Sequence, residues 1–132
     1  MHMYKRVVII DDSELDRYLS EALIKKFRFA QEVRSFDSAI TALEYLKSAD
    51  KNDDTIPELI FLDIHMPLMT GFEFMDIYLK FSDELKSKCR IILFSSTDAY
   101  VDHVRMKNYP IIHRFIRKPL TEEKLDSVRS IG

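Results

Sequence analysis

The chain has 132 residues, of which 46% are apolar and 32% charged, and its formal net charge is −2. A chain of this length is expected to form one domain, over residues 1–132, that buries roughly two thirds of its unfolded surface, and it is too apolar for a disordered protein. Basic residues are interspersed with acidic ones, so no basic stripe is present and we expect no direct nucleic-acid binding.

The single cysteine, Cys89, excludes an internal disulfide and a cysteine-based zinc site. Such sparing use of cysteine is typical of the reducing cytoplasm, where we expect the protein to reside. No apolar run reaches the ~18 residues that a membrane span requires, and no signal peptide is recognisable, so we expect no membrane association.

Five short apolar segments predict β-strands. The first, KRVVII at 5–10, has the unbroken, β-branched character of a strand that is buried on both faces. The others are EVRSF at 32–36, ELIFLD at 58–63, RIILF at 90–94 and IIHRFI at 111–116.

The first two strands are each followed by a helical pattern. Ser13 is expected to cap a helix in which apolar residues recur at helical spacing, namely Leu15, Tyr18, Leu19, Ala22, Leu23 and Phe27. Asp37 or Ser38 is expected to cap a second helix that carries Ala39, Ala42, Leu43 and Leu46.

Three more helices are predicted, one beginning near Gly71, one over about 98–107 and one after Thr121, whereas the polar stretch 82–88 is assigned to no element. Strands that alternate with helices in this way indicate an α/β fold, in which a parallel sheet has helices on both faces.

Polar side chains follow four of the five predicted strands. They are Asp11 and Asp12 after the first, Asp63 at the end of the third, Ser95 and Ser96 after the fourth, and Lys118 shortly after the fifth. Because ligands of open parallel sheets bind beyond the carboxyl ends of the strands, we expect these groups to lie at one edge.

Each of these groups also has a simpler explanation when taken alone. The acidic pair could cap a helix, and Asp63 could belong to a turn. Ser95 could bond to backbone, and Lys118 could be a solvated surface charge. Three carboxylates at one edge repel one another unless a cation neutralises them, however, and carboxylate, water and phosphate oxygens are the ligands that Mg²⁺ prefers. The combination therefore predicts a magnesium site that handles a phosphoryl group.

The sequence resembles the receiver domains of two-component response regulators. The resemblance extends from Lys5 to about Arg129, and it rests on IIDD at 9–12, LDIHMPLMTG at 62–71, ILFSS at 92–96 and FIRKPL at 115–120. It implies a doubly wound, flavodoxin-like fold with a five-stranded parallel sheet in the order 2-1-3-4-5.

The resemblance implies that Asp63 is the phosphorylated residue. It also implies Mg²⁺ ligation by Asp12, by Asp11 directly or through water, by Asp63 itself, and by the backbone carbonyl of His65. The His65 side chain is therefore not expected to be a metal ligand.

Three further roles come from the same resemblance. Ser95 matches the hydroxyl residue, and is preferred to Ser96 because it follows the apolar strand immediately. Phe115 matches the aromatic switch position, and Lys118 the lysine that contacts the phosphoryl group.

The resemblance also implies that two positions, the His65 side chain and Thr97, tune the lifetime of the phosphoryl group. His103 and His113 are expected to be structural or surface residues.

The implied function is Mg²⁺-dependent phosphoryl transfer to Asp63 from a sensor histidine kinase or a histidine phosphotransfer protein. Ser95 and Phe115 would then move inward and change the face built from the helix over 98–107, the fifth strand and the final helix, which a downstream protein reads. A homodimer that forms on phosphorylation stays open.

Three alternatives also stay open. The first is a receiver-like interaction module that is not phosphorylated, against which the intact Asp12, Asp63 and Lys118 argue. The second is a flavodoxin-like cofactor binder, but a chain with two glycines has no glycine-rich phosphate loop. The third is a phosphohydrolase with an aspartyl nucleophile, which would carry a second acid where this chain has His65.

Overall fold

The computed structural model describes residues 3–129. Its strands are β1 (Tyr4–Ile10), β2 (Ala30–Phe36), β3 (Leu59–Asp63), β4 (Arg90–Ser95) and β5 (Ile112–Arg117). Its helices are α1 (Glu14–Lys26), α2 (Ala39–Ala49), α3 (Gly71–Tyr78), α4 (Asp83–Lys88), α5 (Tyr100–Met106) and α6 (Glu122–Arg129), and a short 3₁₀ turn spans Asp53–Thr55.

The five strands form one sheet in the order β2-β1-β3-β4-β5, and every neighbouring pair is parallel. This confirms the predicted fold class and strand order. The prediction of one domain over 1–132 stays a prediction, because Met1, His2 and residues 130–132 lie outside the described residues.

The sheet is buried on both faces, and alternate side chains of β1 pack on opposite faces. Val7 and Ile9 belong to a core cluster shared with Ile24 of α1 and with the buried residues of α6. Val8 and Ile10 belong to the opposite cluster, which includes side chains from α2, α3 and α4. This two-sided burial explains why the central strands read as continuous apolar runs.

Serine hydroxyls cap the N-termini of the first two helices, as predicted. Ser13 Oγ accepts a hydrogen bond from Asp16 N at 3.2 Å, and Ser38 Oγ accepts one from Thr41 N at 3.2 Å. The structure thereby resolves the choice between Asp37 and Ser38 in favour of Ser38.

Helix α1 forms where predicted, but most of its apolar side chains do not pack on the sheet. Leu15 is 64% exposed, Tyr18 67% and Leu19 49%, whereas Ile24 is fully buried. The apolar spacing therefore marks a second, solvent-facing stripe as well as the face that reaches the core.

Helix α4 was not predicted. Ser82 Oγ caps it by accepting a hydrogen bond from Leu85 N at 3.1 Å, and Leu85 is fully buried. A serine cap, acidic residues in the first turn and lysines in the last turn were the available signals in SDELKSK, but one apolar residue gives no periodicity.

Candidate functional site

An acidic cluster lies at the carboxyl edge of the sheet, where β1 and β3 end side by side. One carboxylate oxygen from each of Asp11, Asp12 and Asp63 lies within 4.8 Å of the others. Asp11 is fully buried and Asp63 is 5% exposed, whereas Asp12 is exposed. The sequence-based expectation that these three acids meet is confirmed.

Lys118 reaches into this cluster from the turn after β5. Its Nζ lies 2.5 Å from Asp11 Oδ2 and 3.4 Å from Asp63 Oδ2, and it also passes over the ring of Phe94. Lys118 N donates to Ser95 O at 2.7 Å, which anchors this turn to the end of β4, and the Lys118–Pro119 peptide is cis.

Asp16 is a further partner of Lys118 that the sequence analysis missed. Its Oδ2 lies 3.0 Å from Lys118 Nζ, and it stands in the first turn of α1. An acid at that position is also favoured by the helix dipole, so its sequence context alone did not single it out.

The electrostatics of the cluster are set by burial and by mutual repulsion. Burial raises the pKa of Asp63 from 3.8 to about 6; the charge of Lys118 opposes this rise and that of Asp11 adds to it. Burial alone would lower the pKa of Lys118, but its close ion pair with Asp11 and the charges of Asp63 and Asp11 outweigh this effect and raise that pKa. Lys118 therefore stays protonated beside the poorly solvated carboxylate of Asp63.

Ser95 lies at the end of β4, beside the end of β3, and is fully buried. Its Oγ accepts a hydrogen bond from Thr97 N at 3.2 Å and lies 3.4 Å from Thr97 Oγ1. Ser96, the less favoured candidate, is exposed.

The loop from β3 to α3 turns back tightly against the acceptor strand. Gly71 N donates to Ile64 O at 2.8 Å, and a Cβ on Gly71 would stand 2.6 Å from Asp63 O and 2.9 Å from Ile64 Cα. Only glycine fits this close approach. Thr70 and Glu73 complete a capping box that begins α3 at the same point.

The residues present fit a divalent cation. Asp11 Oδ2 is buried, and its one partner among the described residues is the ammonium of Lys118 at 2.5 Å. The oxygens of Asp12 and Asp63 lie beside it, which gives the all-oxygen set that Mg²⁺ prefers. The acidic cluster is thus suited to a hard cation.

The response regulator receiver domain family model matches residues 7–129 of this chain. The chain belongs to this family.

Comparisons with individual proteins agree with this receiver assignment. The chain is 30% identical over 120 residues to Protein PilG of Pseudomonas aeruginosa, covering 91% of this chain and 81% of PilG. It spans about half or less of the next three curated relatives, so their other activities do not transfer to it.

Two solved structures show the same receiver architecture. A two-component response regulator from Cytophaga hutchinsonii superposes with a TM-score of 0.90 at 24% identity, covering 98% and 97% of the two chains. The receiver domain of the histidine kinase CKI1 from Arabidopsis thaliana superposes with a TM-score of 0.76 at 27% identity, covering 96% of this chain and 89% of that one. No helix of residues 3–129 is long and apolar enough to cross a membrane.

Within this receiver domain, His65 forms an unexpected contact. Its backbone N donates to Asp63 Oδ1 at 3.2 Å, and its Nε2 is hydrogen-bonded to Asp102 Oδ2 at 2.9 Å. Asp102 is a buried acid on α5, and nothing in its sequence context predicts a contact with His65.

Phe115 and His103 of α5 form a stacked pair. Their ring centroids are 4.1 Å apart, and His103 is also hydrogen-bonded to Asp98. Phe115 itself is half-buried against the core. His103 is therefore a structural partner of the predicted switch residue.

Proposed function

We propose that this receiver domain accepts a phosphoryl group on Asp63 from the phosphohistidine of a sensor histidine kinase or histidine phosphotransfer protein. An Asp63 oxygen bonds to phosphorus as the phosphorus–nitrogen bond of the donor breaks. The bonding electron pair leaves on the histidine nitrogen, which takes a proton from solvent. The resulting acyl phosphate is the signal.

The observation that carries this proposal is the position of the Lys118 ammonium among buried carboxylates. A phosphoryl group on Asp63 adds a charge of about −2 to this edge of the sheet. Lys118 is close enough to pair with those charges in place of a carboxylate, and its raised pKa keeps it protonated. The Ser95 hydroxyl is proposed to donate to another phosphoryl oxygen.

Mg²⁺ is proposed as the cofactor, held by Asp11, Asp12, Asp63 and the His65 carbonyl. When bound, it supplies positive charge that offsets repulsion between the acidic cluster and the incoming phosphoryl group. The related receiver domain of CKI1 is described as complexed with Mg²⁺ and BeF₃⁻.

The exposed stripe of α1 supports docking of the phosphoryl donor. Leu15, Tyr18 and Leu19 are exposed on one face of α1, and Leu19 lines a cleft of about 190 Å³ that also includes Lys118 and Pro119. Exposed apolar side chains of this kind mark protein-interaction surfaces. A donor helix seated there would present its phosphohistidine to Asp63.

Output is proposed to pass through Phe115 to the face formed by α5, β5 and α6. Stacking of Phe115 on His103 connects the switch position to α5, which presents exposed Tyr100, Val101 and Val104 to solvent. A downstream protein is expected to read this face in the cytoplasm.

The test is phosphorylation by acetyl phosphate, followed by intact-mass measurement. Wild type with Mg²⁺ is expected to gain one phosphoryl group, and the gain should disappear in Asp63→Asn or when EDTA removes the metal. The matched control is Asp37→Asn, which changes the exposed acid that follows β2, outside the cluster.

A phosphoryl gain that survives Asp63→Asn would overturn the acceptor assignment. Absence of any gain in wild type, together with absence of Mg²⁺ binding, would favour the alternative of a receiver-like module that acts only through its surface.

A further inference from the structure

An apolar groove lies between α2 and α3, on the face of the sheet opposite α1. It has a volume of about 550 Å³, and its apolar lining consists of Ile40, Leu43, Met69, Ile77 and Phe81. Ile40 is 44% exposed and Ile77 37%. None of these side chains belongs to the acidic cluster, so the proposed phosphorylation does not account for the groove.

The rim of the groove is mainly cationic. Lys47, Lys51 and Lys80 border it, all three are exposed, and none forms an ion pair within the part of the chain that the structure describes. Of the two acids on the rim, Asp50 is already engaged, because it accepts hydrogen bonds from Ser82 N and Ser82 Oγ. Glu44 is left as the one acid of the lining without such an engagement among these residues.

The shape of the groove favours an extended occupant over a small molecule. Small-molecule pockets bury most of their ligand, whereas two lining isoleucines here are more than one third exposed. The 11 residues of α2 extend about 16 Å, which matches roughly three turns of a helix laid alongside. Helix-in-groove recognition places the apolar face of an amphipathic helix in a groove of this kind, and the polar flanks of such a helix would lie against the charged rim.

We propose that the α2–α3 groove binds an amphipathic helix of a partner protein, whose apolar side chains enter the groove and whose acidic side chains pair with Lys47, Lys51 and Lys80. The positive rim specifies the sign of the partner's charge. The apolar lining specifies its anchors at positions i, i+3, i+4 and i+7. This surface would act in addition to the acceptor edge and independently of Asp63.

The test uses the ¹⁵N-labelled full chain and two synthetic helical peptides with the same leucine face. One peptide has glutamates beside that face and the other has lysines. The acidic peptide is expected to cause saturable amide shifts confined to α2, α3 and the adjoining loops, and to bind more weakly as salt is raised. The basic peptide is expected to cause none.

Variants separate the two parts of the groove. Lys47→Glu with Lys80→Glu should weaken binding of the acidic peptide at least tenfold and strengthen binding of the basic peptide. Ile77→Asn should weaken binding of the acidic peptide, because it places a polar group in the apolar lining. Lys25→Glu with Lys107→Glu is the matched charge control, and Val101→Asn is the matched apolar control on α5; both should leave binding unchanged. Asp63→Asn should also leave it unchanged, which separates this test from that of phosphorylation.

Several outcomes would overturn the proposal. They are the absence of saturable shifts in α2 and α3 at millimolar peptide, equal binding of both peptides, and unchanged binding in the charge-reversed variant. Decanoate shifting these amides when the acidic peptide does not would assign the groove to a small amphiphile. Shifts that grow with protein concentration alone would assign it to a second copy of the chain.

Discussion

The carboxylate of Asp63 is held in its ionised form against its own burial. Burial raises its pKa to about 6, partly countered by Lys118 and reinforced by Asp11. The folded protein therefore binds a proton at Asp63 more tightly than the unfolded chain does. Between pH 3.8 and about 6 the free energy of unfolding should fall as pH rises. Above that range Asp63 is ionised in both states, so the stability lost by burying its charge stays constant.

We therefore predict that Asp63→Asn stabilises the metal-free protein at pH 7.5. A shift of one pKa unit corresponds to about 1.4 kcal/mol, so we expect a gain of about 1 to 3 kcal/mol that diminishes toward pH 4. Urea unfolding of both proteins at several pH values measures the difference. Asp37→Asn should show no such gain, and a less stable Asp63→Asn protein at pH 7.5 would contradict the prediction.

Gly71 is constrained by the backbone that carries the acceptor. A Cβ at this position would contact Asp63 O and Ile64 Cα, and backbone atoms cannot move aside as a flexible side chain can. We predict that Gly71→Ala lowers the free energy of unfolding by about 1 to 3 kcal/mol and slows phosphorylation, because the end of β3 must shift. Thr70→Ala, which removes only the cap of α3, should reduce stability with a smaller effect on the phosphorylation rate. Equal stability of Gly71→Ala and wild type would refute this steric argument.

Helix α1 ends in a Schellman motif built without glycine. Phe29 N donates to Ile24 O at 2.9 Å and Arg28 N donates to Lys25 O at 3.2 Å. This motif places Arg28 at φ 50, in the left-handed region that glycine adopts at no steric cost. The exposed Arg28 side chain has no hydrogen bond or ion pair within residues 3–129 to compensate for this conformation.

We predict that Arg28→Gly stabilises the protein by roughly 0.5 to 1 kcal/mol, because it removes the steric penalty at this position. Chemical denaturation measures the change. Lys25→Gly, an exposed site inside the same helix, should have the opposite sign and cost about 1 kcal/mol. If both variants are destabilised equally, the left-handed conformation of Arg28 does not reduce the stability of the protein.

The acidic cluster joins chain segments that are distant in sequence. Asp11 and Asp12 follow β1, Asp63 ends β3 and Lys118 follows β5, so a cation bound there would be held by the folded state alone. A ligand that binds only the folded state stabilises it through mass action.

Mg²⁺ is therefore predicted to raise the thermal unfolding midpoint in a saturable way. At a concentration 100 times the dissociation constant the gain should be about 2.7 kcal/mol. Calorimetry during a magnesium titration, with ionic strength held constant, measures it. Asp12→Asn should abolish the rise and Asp37→Asn should preserve it; a rise that persists in Asp12→Asn would place the ion elsewhere.

Much of this arrangement could be predicted from local patterns. The continuous apolar runs indicated strands covered on both faces, and the order of strands and helices indicated a parallel sheet. Parallel strands bring their carboxyl ends to one edge, which is why Asp11, Asp12, Asp63 and Lys118 could be grouped before their distances were known. Helix α4 was missed because its single buried residue, Leu85, leaves no periodic pattern.

The fold class, the strand order and the acids that meet at the sheet edge could all be predicted from the amino-acid sequence, the strand order through its resemblance to receiver domains. The contact of Asp16 with Lys118, the hydrogen bond between buried Asp102 and His65, and the exposure of the apolar stripe of α1 became evident only from the folded protein. Periodicity shows which residues are apolar, and chain order shows where strands end. Contacts between side chains on different elements depend instead on how those elements pack, which no local pattern encodes.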